Sequence, residues 1–119
     1  MRSIRGATTV ANNEKEEILS STKELLTEML KANEIEIEDI ISIFFTATKD
    51  LTKVYPAVVA REMGIVDAGL MCMTELYVEE SLTKCIRVMI HAQINKSQKE
   101  INHIYLKDAK GLRPDLTKE

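Results

Sequence analysis

Apolar positions recur along this chain with two different periods, and the switches between them mark out its elements. Ser3 to Val10 alternates, with Ile4, Gly6, Thr8 and Val10 on one face of a predicted strand and Ser3, Arg5, Ala7 and Thr9 on the other. After Asn12 the period lengthens. Ile18, Leu19, Thr22, Leu25, Leu26, Met29 and Leu30 return at helical spacing with Lys and Glu between them, which predicts a long amphipathic helix ending near Asn33. Asn13, with Glu16 three residues later, is its expected start.

Beyond a charged connector or helical turn at Glu36 to Asp39, Ile40 to Ala47 reads as a buried strand rich in Ile and Phe. Thr48-Lys49-Asp50 is a loop. Pro56 opens a short helix running to about Met63, and Gly64 stops it. Gly69 to Thr74 is another strand, and Leu82 to Ile94 contains the next, centred on Cys85 to Ala92. Asn95 to Glu100 is polar, Ile101 to Leu106 is a last short strand, and 111–119 reads as a flexible tail. The expectation is one α+β domain over 1–119, a mixed sheet of about five strands packed on one long helix. A single helix covers one face of such a sheet. The other needs a partner, and in a chain this short that partner is expected to be a second copy, with ligand clefts between subunits.

Against that frame two arginines are out of place. In Cys85-Ile86-Arg87-Val88-Met89-Ile90-His91-Ala92, alternation sets Ile86, Val88, Ile90 and Ala92 against Cys85, Arg87, Met89 and His91. A guanidinium in a half-buried strand requires an anion, either a protein carboxylate or one arriving with a ligand. Arg5 poses the same question. Convergent arginines suit a small dicarboxylate or a phosphate, because each binds an oxyanion through two parallel hydrogen bonds. Glu75, a carboxylate flanked by apolar residues, is either their structural counterion or an anchor for a ligand hydroxyl. Residues alone leave both readings open.

Composition narrows the chemistry. A net charge of -3 and only five aromatic residues give no reason to expect nucleic acid as a partner. The amino terminus lacks a long apolar run and no stretch approaches a membrane span, so a cytoplasmic protein with no membrane partner is expected. Cys72 and Cys85 have no ligand neighbours at zinc spacing, and neither His91 nor His103 has a nucleophile partner. No metal and no cofactor are expected. An enzyme built from these residues works by binding and electrostatics.

Ile4-Arg5-Gly6-Ala7-Thr8-Thr9-Val10, Ala47-Thr48-Lys49-Asp50-Leu51, Tyr55-Pro56-Ala57 with Arg61-Glu62, Cys72-Met73-Thr74-Glu75, Cys85-Ile86-Arg87-Val88-Met89 and Leu112-Arg113-Pro114-Asp115-Leu116 stand here in a telling order. Together they resemble the small monofunctional chorismate mutases of the β-sheet-containing class, over nearly the whole chain. The resemblance implies a pseudo-α/β-barrel homotrimer, with chorismate converted to prephenate at subunit interfaces during aromatic amino acid synthesis. It further implies that Arg87 donates to the breaking ether oxygen, that Arg5 and Tyr105 bind substrate carboxylate, and that Glu75 accepts from the ring hydroxyl. Cys72 would lie beside Glu75, the backbone from Met71 through Met73 to Thr74 would line the pocket with Tyr55, Ala57 and Arg61, and Leu112 and Arg113 would close over it. Relative to the family pattern, Tyr55 replaces a Phe, Val58 a Lys, and Met71 a smaller polar residue. The alternatives are a non-catalytic trimer binding a small carboxylate metabolite and a related imine/enamine deaminase.

Overall fold

A computed structural model describes residues 1–112 of the 119-residue chain. Five strands, β1 (Arg2–Thr9), β2 (Ile40–Ala47), β3 (Gly69–Thr74), β4 (Cys85–Ala92) and β5 (Ile104–Tyr105), form one mixed sheet in the order β3-β2-β4-β1-β5. The pairs β1/β4 and β2/β4 are antiparallel, while β2/β3 and β1/β5 are parallel. The long helix α1 (Lys15–Ala32) covers one face, and the short helix α2 (Ala57–Glu62) packs in the same layer against α1 and β3.

The core follows the periodicities. Ile18, Leu25, Leu26 and Met29 of α1 are buried against Ile4, Ile43, Phe45, Ile86 and Ile90 of the sheet. Close approach of α1 depends on Gly6, where an added Cβ would stand 2.5 Å from Met29 Sδ and 3.1 Å from Leu25 Cδ1. At the far end of α1, fully buried Asn33 donates to the Met29 and Asn102 carbonyls at 2.8 and 2.9 Å and accepts from the Asn102 amide at 2.7 Å. Asn102 Nδ2 returns a bond to the Ala32 carbonyl at 3.1 Å. A buried amide satisfied in this way fixes the segment that leads into β5.

Several expected details differ. α1 begins one residue later than Asn13 and Glu16 imply: Glu14 is the capping residue and has no side-chain cap. The Asn13 side chain instead exchanges hydrogen bonds with Thr52, at 3.0 Å in both directions. The reach-back role falls to Glu17, whose Oε1 accepts from the Ala11 and Asn12 amides. These bonds, that from the Asn12 amide foremost, lower the Glu17 carboxyl below the ordinary range. β2 is not buried throughout. Ile43 and Phe45 face the core, while Ser42, Phe44 and Thr46 face away, and an irregularity in the β4 pairing between Ile40 and Ser42 leaves Ile41 exposed. The strand expected over Ile101 to Leu106 shortens to two residues, and a 3₁₀ turn, Lys107–Gly111, leads up to the start of the expected tail. The tail from Arg113 onward lies outside the described residues. No helix among the described residues is long and apolar enough to cross a membrane.

Thr8 lies on the helix-covered face of β1, fully buried, and its hydroxyl finds no hydrogen-bond partner among the described residues. An unsatisfied buried donor costs about 1–3 kcal/mol, and Val has nearly the same shape. Thr8→Val should therefore raise unfolding free energy by roughly 1–2 kcal/mol in denaturant titration. An unchanged or lowered midpoint would mean that the hydroxyl is satisfied in solution.

Candidate active site

On the face that α1 leaves uncovered, one row of side chains crosses all five strands. Tyr105 of β5 is beside Ala7 of β1, Ala7 opposite Arg87 of β4, Arg87 opposite Thr46 of β2, and Thr46 beside Met73 of β3. The next row runs Arg5, Met89, Phe44, Met71. Ala7 presents only a methyl group, which leaves room between the larger side chains of Tyr105 and Arg87. Glu75 falls on the same face, two residues beyond Met73. Its amide still donates to the Ala47 carbonyl at 2.9 Å, so the chain keeps its extended path past the end of β3.

The loop at the top of the sheet sets where β4 begins. Asp50 accepts from the Lys84 amide at 3.0 Å and Thr48 Oγ1 accepts from the Cys85 amide at 3.0 Å. Thr48 in turn donates to Asp50 at 2.5 Å. Lys84 turns with a φ of 48°, a left-handed conformation that these bonds hold in place. They fix the register that puts Arg87 in its row.

Together Arg5, Thr46, Met73, Glu75, Arg87 and Tyr105 line a cavity of about 380 Å³, completed by Gly6, Phe44, Val88 and Met89. That is within the size range of small-molecule sites. Its charges do not balance: two guanidiniums face one carboxylate. Arg87 Nε lies 3.3 Å from Glu75 Oε1, with the Arg87 side chain 46% exposed and Glu75 20%. No carboxylate among the described residues pairs with Arg5. A partly solvated ion pair is worth little to stability, so Arg87 can exchange it for a ligand anion at small cost. The question left open by the sequence thus has a mixed answer. Glu75 is a counterion for Arg87, and Arg5 has no carboxylate partner among the described residues.

Tyr105 is 9% exposed and packs with Ala7, Cys85 and Ala109, against which Leu112 also rests. Leu112 does not itself line the cavity, and Arg113 lies outside the described residues. The remaining expected site residues lie elsewhere on this chain. Cys72 packs against the helix-side core, on the opposite face of β3 from Met73 and Glu75. With Thr74 and Tyr55 it lines a separate groove of about 660 Å³ that also carries Lys15, Lys49 and Lys53. Ala57 is buried at the start of α2, Arg61 is exposed on that helix, and Tyr55 precedes it at 72% exposure. Met71 is on the uncovered face, 54% exposed. Within one chain the candidates therefore form two groups, one on the sheet face and one around the β3 edge. The cavity also holds Phe44, Thr46 and Met89, which sequence reasoning did not single out. The signal was present in β2, because placing Ile43 and Phe45 in the core puts a polar Thr46 on the Arg87 side. No group of three potential metal ligands occurs among the described residues.

The family model for type I chorismate mutase matches residues 1–116. The chain belongs to the type I chorismate mutase family. Its reaction is accordingly the isomerisation of chorismate to prephenate, an intramolecular transfer. Chorismate mutase AroH of Bacillus subtilis (strain 168) is 43% identical over 118 residues, covering 98% of this chain and 93% of that protein. Chorismate mutase AroH of Thermus thermophilus is 41% identical over 117 residues, covering 98% and 96%. A solved chorismate mutase from Clostridium thermocellum superposes with a TM-score of 0.90 at 52% identity, over 92% of this chain and 97% of that one. Family membership decides for the mutase over the deaminase, and the five-stranded α+β fold expected from the sequence is the type I chorismate mutase fold.

Cys85 shares the Arg87 face, packs with Ala7 and Tyr105, and is only 2% exposed. Burial pushes its thiol up to about 11, against a smaller opposing pull from Arg87. A group whose pKa is raised on folding stabilises below its unfolded pKa and loses that contribution as pH rises through the folded value. Stability attributable to Cys85 should therefore decline between about pH 9 and pH 11. Urea titrations across that window should show a shallower alkaline decline for Cys85→Ala than for wild type, whatever the variant's stability at pH 7. Equal slopes would show that the thiol does not carry this loss.

Proposed function

We propose that the enzyme performs its rearrangement by restraint and by charge, with Arg87 as the central catalytic group. The observation that carries this reading is the cavity itself, in which the Arg87–Glu75 pair stands beside Arg5, which pairs with no carboxylate among the described residues. Chorismate brings two carboxylates, a ring hydroxyl and an enolpyruvyl ether. Its rearrangement breaks the ether C–O bond as a C–C bond forms, with no net proton transfer and no nucleophile from the protein. What the reaction needs is a compact substrate conformer and a fixed cation where the ether oxygen gains charge.

In this reading the Arg87 guanidinium turns from Glu75 toward the ether oxygen and a neighbouring carboxylate. Arg5 and the Tyr105 hydroxyl hold substrate carboxylate. Glu75 accepts from the ring hydroxyl, which orients the ring and leaves Arg87 to the oxygen. Leu112 and Arg113 cover the cleft. The second group, Tyr55, Ala57, Arg61, Met71, Cys72 and Thr74, comes from an adjacent copy in a homotrimer. Two features support that assembly. The uncovered sheet face carries Met71, Met73 and Met89 at 54%, 42% and 37% exposure, an apolar surface that a second subunit would bury. Apart from Met71, which shares the Arg87 face, the second group also lies on a different surface of one chain, so a substrate held by both would sit across an interface. Val58 in place of a Lys leaves that entrance with less positive charge, and Arg61 is the cation remaining on α2.

The test is loss of chorismate absorbance on adding purified protein without metal, with Arg87→Ala beside wild type. Removing one preorganised donor at a developing oxyanion typically costs roughly 10²–10³-fold in kcat. Wild type should form prephenate, and the variant should lose at least that factor while keeping its melting temperature within a few degrees. A folded wild type that leaves chorismate untouched would instead favour a trimer that binds a small carboxylate without turning it over.

A further inference from the structure

Besides Arg87, Glu75 has a second side-chain partner in the cavity, Thr46. Thr46 Oγ1 donates to Glu75 Oε1 at 2.5 Å, and this is the same oxygen that Arg87 Nε approaches at 3.3 Å. Thr46 is also the direct cross-strand partner of Arg87 and the neighbour of Met73 in the parallel pair. It therefore stands between the strand that carries the cation and the strand that delivers the carboxylate.

We propose that Thr46 is a positioning residue for the rearrangement: its hydroxyl limits Glu75 to a single Oε1 contact with Arg87, so that the guanidinium can turn to the ether oxygen. The proposal rests on the reading of this cavity given above. Its physical basis is competition. A carboxylate beside an unencumbered arginine swings to meet it through two parallel bonds, which is the strongest arrangement available to the pair. In the structure that does not happen, and the closest contact is the single Nε approach to an oxygen already taken by Thr46. The hydroxyl has two effects. It withdraws charge from Oε1, weakening the pull on Arg87, and it fixes the rotation of the carboxylate so that Oε2 is presented to the ring hydroxyl. Valine at this position would keep the shape, the β-branch and the strand register. It would remove only the donor, and Glu75 would close on Arg87.

The experiment is a cycle of Thr46→Val and Thr46→Ser, each made in wild type and in Glu75→Gln, with steady-state chorismate kinetics and thermal melts on all six proteins. Thr46→Val should lower kcat by about 10-fold to 30-fold, the scale of one hydrogen bond to a charged group, with a smaller change in KM. Thr46→Ser, which keeps the donor, should retain most of the rate. In the Glu75→Gln background the Thr46→Val change should cost less than twofold, because the group it acts through is gone. Should Glu75→Gln be too slow to assay, the same cycle is read as prephenate affinity by calorimetry.

Three outcomes overturn the proposal. Equal losses for Val and Ser would assign the effect to packing. An undiminished loss in Glu75→Gln would mean that Thr46 acts independently of Glu75. A fully active Thr46→Val would mean that the hydroxyl has no part in turnover. Wild-type turnover in the same assay separates these from failure of the underlying reading, since a wild type inert toward chorismate removes the reaction itself. If Thr46→Val does not fold, the Ser variant against its Glu75→Gln counterpart still decides. A serine hydroxyl that has lost the fixed rotamer should show a partial kcat loss that vanishes in that background, and a loss that persists there would sink the idea.

Discussion

The structure turns on an inequality between layers: one long helix and one short one cover a single face of a five-stranded sheet. Ile4, Ile43, Phe45, Ile86 and Ile90 satisfy that face completely. Since side chains alternate along every strand, the same registers that build the core assign Tyr105, Ala7, Arg87, Thr46 and Met73 to the other side. A slip of one residue in β4 would bury a guanidinium under α1, an outcome no nearby carboxylate could compensate. Core and candidate site are thus two readings of one register. The bonds of Thr48 and Asp50 to the start of β4 protect both at once.

The chemistry follows from what that face lacks. It has surplus positive charge, a single acid already engaged on one oxygen, and buried groups such as Cys85 that remain protonated. Among the described residues this face offers no free base and no activated nucleophile, so it is poorly equipped for hydrolysis or group transfer between molecules. It is well suited to a reaction whose bonds break and form within one substrate, where the protein's part is to select a conformer and to meet a growing partial charge.

How much of this was legible in the sequence depended on which physical signal each feature left. Helical spacing from Ile18 to Leu30 identified α1, and alternation placed Arg87 and Met89 on one face and Ile86 and Val88 on the other, as the structure has them. β2 was read as wholly buried because its Phe and Ile residues outweighed the single Thr. Its second face became visible only when the core had claimed Ile43 and Phe45. Asn13 looked like a cap, yet a tertiary bond to Thr52 competed for its side chain, and no local pattern encodes that. The shortening of β5 has the same origin, because the path from Ile101 to Ile104 is set by the Asn33 side chain on a distant helix. The candidate residues were found by resemblance and by misplaced charge. Their division into two surface groups was not, since alternation says which face of a strand a residue takes but not which neighbouring chain will come to meet it.

The Asn33–Asn102 contact has one further consequence. β5 pairs with β1 over only two residues, so Tyr105 owes its place beside Ala7 largely to what flanks it in the chain. Before it, Asn102 is bonded to Asn33; after it, the Leu106 amide donates to the Ala7 carbonyl, the Asp108 amide donates to Thr9 Oγ1, and Ala109 is fully buried. No residue of α1 lines the cavity, yet the asparagine that ends this helix helps to decide where the Tyr105 wall stands.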